Sequence, residues 1–407
     1  MVSAGAAARR PTSEEPRVSG TTPRTGTGAA TPEAVCLGES MVTFLPSRPG
    51  RLADVPSFGR GIGGAESNVA CALAAAGHRT AWVSRVGADG FGDHLVEAVA
   101  AYGVDTSFVR RDPHRPTGIY FRTATDRAAE VHEVAYYRAG SAASAMSPGN
   151  VPHEALLAGR VLHLSGITAA LSADCLALLR ELTAVRPGRP LISFDVNHRP
   201  GLWRGTDTSP RVLLELARRA DLVFVGEDEA EEAWGIVGAE AIRAAMPEPA
   251  MVVVKRGAEG ATVFSVAGRA EDEPLRRLRS GARGGAPVRE GAGRGEAPRS
   301  GQYPGAAAAG DSVTHVPALR VDVVAPVGAG DAFAAGFLSA TLRGLPVRTR
   351  ARHGHLMAAA VLTVPGDLTE PPARDRADRL AALDDAAWGR LRLGPGWTGD
   401  DTEVRTT

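Results

Sequence analysis

The chain has 407 residues, of which 46 are basic and 46 acidic, so its formal net charge is zero. This balance argues against a protein that binds nucleic acid or an anionic membrane by bulk electrostatics, while 44% hydrophobic residues suffice for a large core. The three cysteines, Cys36, Cys71 and Cys175, have no C-x-x-C spacing, which excludes a disulfide scaffold and a thiolate zinc site and predicts a reducing, cytoplasmic compartment.

Three segments are predicted to lie outside the folded domain. Residues 1–33 are rich in Ala, Arg, Pro, Thr and Gly without an apolar run, which predicts a disordered tail and no signal peptide or membrane span. Residues 270–311 contain almost no large apolar side chains, which predicts a flexible insertion between two strands. Residues 398–407 are predicted to be loose, so one domain remains over residues 34–397.

Two kinds of segment alternate along this domain. Short β-branched runs predict buried strands at residues 35–37, 81–83, 161–164, 191–194, 222–225 and 251–254. Stretches rich in Ala and Leu predict helices at residues 65–76, 92–102, 172–185 and 209–219. The alternation predicts an α/β fold with a doubly wound, mostly parallel sheet flanked by helices. Residues 118–123 and 131–138 alternate polar and apolar side chains around a polar turn, which predicts the hairpin of a small β-lid at about 117–138.

The motif with the clearest chemistry is VGAGDAFAAG at residues 327–336. Its small residues open a predicted helix, whose amino-terminal N–H groups and dipole favour an anion. Asp331 lies in the first turn, where it could merely complement the dipole. A phosphate cradle beside a carboxylate is, however, what a hydroxyl-activating phosphotransferase needs. The single lysine of the sequence, Lys255, is not in a Walker A context, which excludes a P-loop.

The chain resembles the PfkB family of carbohydrate kinases, which have the ribokinase-like fold, over about residues 35–375 outside the insertion. The resemblance depends on the GGAESN segment at 63–68 and the GAGD segment at 328–331. Within the family the chain is most similar to 2-keto-3-deoxygluconate kinases. That narrower similarity depends on YYRAGSAAS at 136–144, LHLSGIT at 162–168, DVNHR at 195–199 and KRGAEGA at 255–261.

The resemblance implies site roles. Asp331 would be the catalytic base for the sugar hydroxyl, next to an anion hole formed by Gly328, Ala329 and Gly330. The residues implied to bind the substrate are Gly64, Asn68, Tyr120, Tyr136, Arg138, Arg199, Asp331 and Asp367. The residues implied to bind ATP are Asn197, Lys255, Gly257, Gly260, Gly328, Gly330 and His355. Glu229 would contact the Mg²⁺ that accompanies ATP through water.

The implied reaction is ATP-dependent phosphorylation of a sugar acid, namely 2-keto-3-deoxygluconate to its 6-phosphate. A kinase for a neutral sugar of the fructose or ribose type, and a non-catalytic sugar-binding protein of the same fold, are the alternatives. Ala325 stands where the family commonly has Asp, which leaves a monovalent-cation requirement open. Gly226 stands where Asn or Ser is common, which weakens the magnesium assignment. The lid also leaves open a homo-oligomer formed through its surface.

A competing motif is G-x-G-x-x-G at residues 59–64, which is typical of dinucleotide-binding folds. Such a motif follows directly on a strand. Here the preceding segment, DVPSF, contains a proline, and the intact strand at 35–37 is well upstream. The sequence therefore favours the kinase over a dehydrogenase.

Overall fold

The computed structural model describes residues 31–48, 50–123, 133–204, 209–266, 310–399 and the backbone of 405–406, all within one compact unit, Thr31–Thr407. The strands, in chain order, are β1 (Ala34–Leu37), β2 (Met41–Pro46), β3 (Phe58–Gly63), β4 (Thr80–Gly87), β5 (Val109–Asp112), β6 (Ile119–Arg122), β7 (Val134–Tyr137), β8 (Val161–Ser165), β9 (Leu191–Asp195), β10 (Leu222–Gly226), β11 (Met251–Lys255), β12 (Ala261–Val266), β13 (Asp311–Val316), β14 (Arg320–Val321), β15 (Leu391–Leu393) and β16 (Arg405–Thr406).

The helices, in chain order, are α1 (Ala65–Ala75), α2 (Gly90–Ala101), α3 (His153–Ala158), α4 (Gly166–Ala169), α5 (Ala173–Leu182), α6 (Pro200–Trp203), α7 (Arg211–Arg219), α8 (Glu227–Trp234), α9 (Ala239–Ala245), α10 (Ala329–Leu342), α11 (Val347–Leu362), α12 (Arg374–Ala381) and α13 (Asp385–Arg390). Short 3-10 turns lie at Leu52–Asp54, Ala143–Ala145 and Gly257–Glu259. Among the residues described, no helix is both long enough and apolar enough to cross a membrane.

The main sheet has nine strands in the order β13-β12-β11-β10-β9-β8-β1-β4-β5. Neighbours from β11 to β5 pair in parallel, whereas β12 and β13 are added antiparallel at one edge. The chain passes from β1 to β4 on one side and later to β8 on the other, so the direction of winding reverses at β1. Ligand sites of open α/β sheets lie at such a point, beyond the carboxyl ends of the strands.

The predicted doubly wound sheet is confirmed, and all six predicted strands and four predicted helices are present with ends shifted by a few residues. The central strands are buried on both faces because helices cover both sides, which explains their continuous apolar runs. One face packs against α1, α10 and α11, and the other packs against α5, α7 and α9. From Ala332 to Leu342, α10 is buried on every side, so its opening turn is held rigidly.

The lid is a separate sheet of four strands in the order β3-β2-β6-β7. The predicted hairpin corresponds to β6 and β7, which pair antiparallel with Tyr120 opposite Tyr136. The other two strands were not predicted. The G-x-G-x-x-G motif lies mostly in one of them, β3, and not in a loop between a strand and a dinucleotide-binding helix. The dehydrogenase alternative therefore lacks its structural context.

The predicted disordered tail, the central part of the insertion and the predicted loose C-terminus fall largely on residues 1–30, 267–309, 400–404 and 407, which lie outside the described residues. The strands that flank the insertion pair directly, with Val266 opposite Asp311. Asp311 also forms a buried ion pair with Arg243, whose Nε is 2.7 Å from Asp311 Oδ2. Both ends of the insertion are thus anchored in the main sheet.

Candidate active site

The candidate site lies where the carboxyl ends of parallel strands meet the first turns of α1 and α10. Asn68 is in α1, Asp195 ends β9, Lys255 ends β11 and Asp331 is in α10. Strand ends and helix beginnings converge at one edge of a doubly wound sheet. Residues separated by up to 263 positions in the sequence therefore become hydrogen-bonding partners here.

The Asp331 carboxylate is hydrogen-bonded to α1 and has a raised pKa. Asn68 Nδ2 donates a 2.9 Å hydrogen bond to Asp331 Oδ2, and the backbone N–H of Gly64 donates to Asn68 Oδ1 over 3.4 Å. Burial raises the pKa of Asp331 to about 7, although the hydrogen bond from Asn68 lowers it; the Asp195 carboxylate adds to the rise, and two nearby cations oppose it. A carboxylate with this pKa is suited to accept a proton near neutral pH.

The turn before α10 has a conformation that requires glycine. Gly328 precedes the helix with φ 78°, in the left-handed region, and a Cβ at this position would lie 2.4 Å from the carbonyl oxygen of Asp367. The first N–H groups of a helix have no partner within it, and the dipole adds positive potential. The predicted anion hole, Gly328 to Gly330, thus forms the opening of α10 directly before Asp331.

Lys255 lies next to this opening. Its Nζ is 3.1 Å from each carboxylate oxygen of Asp195, and 3.6 Å from the position that a Cβ on Gly330 would take. Burial alone would lower the pKa of Lys255, but three neighbouring carboxylates, led by Asp195, raise it above its ordinary value. The amine is therefore charged at neutral pH.

The residues predicted near magnesium are oxygen donors at the same edge. Glu229 lies in the first turn of α8; its Oε2 accepts a 3.1 Å bond from the Gly226 N–H, and its Oε1 is 3.8 Å from Arg199 Nη1. Asn197 has φ 41°, and its Oδ1 is buried without a hydrogen-bond partner among the described residues. The described part of the chain has no cluster of three or more acidic, His or Cys side chains that could hold a metal ion alone. This donor set fits a Mg²⁺ ion that is carried by nucleotide phosphates and contacted through water.

The predicted nucleotide loop connects β11 to β12. Gly257 and Gly260 both have positive φ, 53° and 121°, and they bracket the 3-10 turn that reverses the chain. His355, in contrast, is buried within α11, where its Nε2 is 3.2 Å from the Val316 carbonyl oxygen and its ring packs edge-on against Phe333. The structure does not bring the His355 ring to an open surface, so its contact with a nucleotide stays a prediction.

Two lid residues are bound to a residue of the main body. The Tyr120 hydroxyl donates a 2.9 Å hydrogen bond to Asp367 Oδ2, and Arg122 Nη2 lies 2.8 Å from Asp367 Oδ1. All three side chains are buried. Tyr136 lies beside Tyr120, with ring centroids 5.4 Å apart, and is 54% exposed. Since the Asp367 backbone also touches the turn at Gly328, this group connects the lid to the anion hole.

The two arginines predicted to contact substrate differ in their surroundings. Arg138 forms an ion pair with Glu39, and the other oxygen of Glu39 accepts a 2.5 Å hydrogen bond from Ser141 Oγ. The Arg138 side chain is 10% exposed and that of Glu39 is 1% exposed. The Arg199 side chain is 53% exposed, and its nearest carboxylate is Glu229 at 3.8 Å. Arg138 is therefore fixed by a buried acid, whereas Arg199 is open to solvent.

Three residues of this arrangement were not assigned a role from the sequence: Glu39, Arg122 and Asp195. The signal for two of them was present, because Glu39 lies just beyond the end of β1 and Asp195 ends β9. A polar residue at the carboxyl end of a buried strand points to the ligand edge of the sheet. Nothing in the local sequence indicated Arg122, since its partner Asp367 is 245 positions away along the chain.

The chain is similar in sequence and fold to known proteins. The sequence pattern described as "pfkB family carbohydrate kinase" matches residues 31–276 and 303–374. The chain is 31% identical over 349 residues to the 2-dehydro-3-deoxygluconokinase of Bacillus subtilis, covering 84% of this chain and 94% of that protein. It is 30% identical to the 2-dehydro-3-deoxygluconokinase of Thermoproteus tenax, over 85% and 93% of the two chains. A PfkB protein from Polaromonas sp. JS666 superimposes with a TM-score of 0.64 at 30% identity, over 86% of this chain and 100% of that one. The chain therefore belongs to the pfkB family of carbohydrate kinases.

Proposed function

We propose that this carbohydrate kinase transfers the terminal phosphate of ATP to the 6-hydroxyl of a sugar acid, 2-keto-3-deoxygluconate. The observation that carries the kinase chemistry is the Asp331 carboxylate, with a pKa of about 7, at the opening of α10. The sugar-acid substrate is supported by the names of the two relatives that match along most of the chain. A base beside an anion hole also argues against a purely sugar-binding protein.

In the proposed reaction Asp331 accepts the proton of the sugar hydroxyl. The hydroxyl oxygen forms a bond to the terminal phosphorus as the bond from that phosphorus to the bridging oxygen breaks, and ADP leaves with the electron pair. Asn68 holds the Asp331 carboxylate in place through its 2.9 Å hydrogen bond. The N–H groups at the opening of α10 stabilise negative charge on the transferring phosphate, which is the main requirement of phosphoryl transfer.

The charges of the site explain why magnesium would accompany the nucleotide. Lys255 interacts with the carboxylates of Asp195, Glu229 and Asp331, and Arg199 is a second cation near Asp331, so among these described residues the carboxylates outnumber the cations. Polyphosphate would be repelled without an added cation. We assign Glu229 to hold Mg²⁺ through water, with Asn197 near the nucleotide; the ion supplies positive charge to the phosphate oxygens when bound.

The lid residues are proposed to bind the sugar acid. Arginine suits a carboxylate because its planar fork makes two parallel hydrogen bonds. Arg138 is presented by the lid in an orientation that Glu39 fixes, and Arg199 follows β9, near Glu229. We assign the substrate carboxylate to at least one of these arginines, at the end of the sugar away from Asp331.

The test is a substrate panel measured by ATP consumption with Mg²⁺: 2-keto-3-deoxygluconate, its galacto epimer, fructose and ribose. The proposal expects the highest kcat/KM for 2-keto-3-deoxygluconate. A higher value for fructose or ribose would overturn the sugar-acid assignment and leave the carbohydrate kinase intact, while a higher value for the galacto epimer would correct only the stereochemistry. Absence of turnover with every sugar would refute the catalytic function proposed for Asp331.

A second test addresses the carboxylate partner. Arg138→Lys keeps the charge and the pair with Glu39 but loses the fork. We expect KM for the sugar acid to rise about tenfold or more with little change in kcat, because a hydrogen bond to a charged group contributes about 1.5–3 kcal/mol. The matched variant is Arg199→Lys. If neither variant changes KM, arginine does not bind the carboxylate.

We also propose that copies of the chain associate through the lid. The face of the lid opposite Tyr120 is aromatic, with Phe44, Phe121 and Tyr137 packed together, and Tyr137 is 65% exposed. Such a patch is typical of a protein–protein contact. Light scattering of the Tyr137→Glu variant, compared with the unchanged protein, tests this proposal.

The three cysteines are free and buried, in line with the cytoplasm as the proposed compartment.

A further inference from the structure

Glu66 is a buried acid that the proposed reaction does not use. It lies in the first turn of α1, and its side chain is 0% exposed. Its Oε1 accepts hydrogen bonds from Ser165 Oγ over 2.8 Å and from Thr168 Oγ1 over 2.7 Å. Its Oε2 has no hydrogen-bond partner among the described residues. Glu66 therefore connects the GGAESN segment to the LHLSGIT segment, in which no residue is assigned to the substrate or to ATP.

The Glu66 carboxylate lies at the carboxyl end of β1, where the winding of the main sheet reverses. A Cβ on Gly38, the residue that follows β1, would be 2.1 Å from the carboxyl carbon of Glu66, so the glycine makes room for this group. The next residue, Glu39, forms the ion pair with Arg138. Glu66 and the Arg138 guanidinium are also close enough to attract each other. Two acids, Glu39 and Glu66, thus face one arginine at the ligand edge of the sheet.

The two acids differ in how their charge is compensated. Glu39 contacts the Arg138 guanidinium directly and accepts a hydrogen bond from Ser141. Glu66 accepts its side-chain hydrogen bonds from neutral hydroxyls, both on the same oxygen. Burial raises the pKa of Glu66, while the hydroxyl and backbone hydrogen bonds and the charge of Arg138 lower it. The Cys36 thiol on β1 also faces Glu66, but burial raises its pKa well above the ordinary value, so it stays neutral. Glu66 is therefore the acid of the two that binds a proton more readily.

A substrate carboxylate beside Arg138 would be a third acidic group next to one cation. Like charges in a buried region disfavour ionisation, and a buried carboxylate responds by binding a proton. Glu66 can do so without losing a direct ion pair, whereas Glu39 cannot. Binding of an anionic sugar and binding of a proton to Glu66 should therefore favour each other, by thermodynamic linkage. A neutral sugar brings no such charge.

We propose that Glu66 couples recognition of the sugar acid to proton uptake, binding a proton from solvent when the substrate carboxylate pairs with Arg138 and releasing it when the ligand leaves. The ligand class is a sugar acid with one negative charge. The proton goes to Oε2, because Oε1 already accepts two hydrogen bonds, and Ser165 and Thr168 are positioning residues for the carboxylate. The inference rests on the proposed function and deepens it, because it assigns the substrate carboxylate to Arg138 and not to Arg199.

Calorimetric titration measures this coupling. Every protein carries Asp331→Asn, because the Asp331 carboxylate also titrates near neutral pH and would obscure the result. The sugar acid is 2-keto-3-deoxygluconate, and the neutral ligand is 3-deoxyfructose, which has a hydroxymethyl group in place of the carboxylate. Titrations in two buffers with different heats of ionisation give the number of protons taken up on binding at each pH between 5 and 9. We expect uptake of up to one proton with the sugar acid within this range, and none with the neutral sugar.

The affinity should change over the same pH range. At low pH Glu66 is protonated before and after binding, so the Kd is lowest. As the pH rises through the pKa of Glu66 in the free protein, each sugar acid must bring a proton with it, and the Kd rises until the pKa in the complex is passed. We expect the Kd to increase about fivefold or more, the lower end of the usual coupling between two sites. With Glu66→Gln added, both the rise in Kd and the proton uptake should disappear, because Gln does not ionise.

A second variant and a matched control accompany Glu66→Gln. Thr168→Val removes one hydroxyl donor from Glu66, so uptake should move to higher pH even if Glu66→Gln does not fold. The control, Asp112→Asn, removes another buried carboxylate. The Arg85 guanidinium holds the pKa of Asp112 below its ordinary value, so Asp112 is ionised with and without ligand and the control should leave the uptake unchanged.

The outcomes separate this inference from the proposed function. Binding of 2-keto-3-deoxygluconate without proton uptake at any pH in the range would overturn the inference, as would equal uptake in the folded Glu66→Gln protein. Turnover of 2-keto-3-deoxygluconate by the unchanged protein would still support the sugar-acid kinase in either case. If the unchanged protein neither binds nor phosphorylates 2-keto-3-deoxygluconate, the proposed substrate is wrong, and the inference with it.

Discussion

The raised pKa of Asp331 predicts that the proposed base destabilises the folded protein, so that removing its charge should stabilise it. The pKa is about 7 in the folded chain, against an ordinary value of 3.8. Each pKa unit corresponds to about 1.4 kcal/mol, so the ionised carboxylate costs up to about 4 kcal/mol at pH 8. Asp331→Asn keeps the shape and can still accept the hydrogen bond from Asn68. We therefore expect it to be more stable than the unchanged protein by about 2–4 kcal/mol at pH 8.

The direction of this change in folding stability, and the pH range over which it develops, depend on whether the folded or the unfolded chain binds the proton of Asp331 more tightly. Below pH about 4 the carboxyl is protonated in both the folded and the unfolded chain, and the cost is absent. Between pH about 4 and 7 the unfolded chain loses this proton while the folded chain keeps it, so stability falls as pH rises. Above pH about 7 both states are ionised and the full cost is constant. The stability gain of Asp331→Asn should therefore grow from pH 4 to pH 7 and then level off.

Thermal unfolding of both proteins between pH 4.5 and 8.5 measures this difference. For a domain of this size about 2–4 kcal/mol corresponds to a rise in Tm of about 3–5 °C. The same variant should lose about 10²- to 10⁴-fold in kcat, the usual range for a general base. The reasoning fails if Asp331→Asn has the same Tm as the unchanged protein at pH 8, or if the Tm difference does not depend on pH. Near-normal turnover of the variant would remove Asp331 from the mechanism.

Two further predictions concern the backbone. Gly328→Ala should lower the free energy of unfolding by at least about 1–2 kcal/mol and abolish most activity, because φ is 78° and the added methyl meets a carbonyl oxygen at 2.4 Å. The control is Gly330→Ala, whose methyl meets only an ammonium at 3.6 Å. This control should keep its stability when both variants are unfolded in urea. Deletion of residues 271–310 with a short Gly-Ser turn should leave Tm and kcat nearly unchanged, because Val266 and Asp311 are directly paired and loop-closure entropy depends weakly on length. A collapse of either quantity would show that the insertion contributes to the folded domain or to the site.

The main sheet and the glycine-rich opening of the helix that contains Asp331 could be predicted from the sequence alone. The central strands are buried on both faces, so each one is a short, almost continuous run of apolar residues. Position 328, three residues before Asp331, is a glycine because the turn there has a positive φ and leaves no space for a side chain. In both cases the requirement, burial of a strand or space in a turn, restricts the types of residue at consecutive positions, so it can be recognised in the sequence.

The lid and the charge network depended on tertiary structure. β3 contains three glycines, which have low strand propensity, and it is a strand only because β2 pairs with it along its length. The partners of Arg138, Arg122 and Lys255 are carboxylates 60 to 245 positions away, and no periodicity in the sequence connects them. The pKa of Asp331 is likewise set by burial and by charges on other elements. Secondary structure and tight turns depend on neighbouring residues and can therefore be read from the sequence. Strand pairing in the lid, the burial of charged groups and the balance of their charges arise only when distant segments meet in the folded chain.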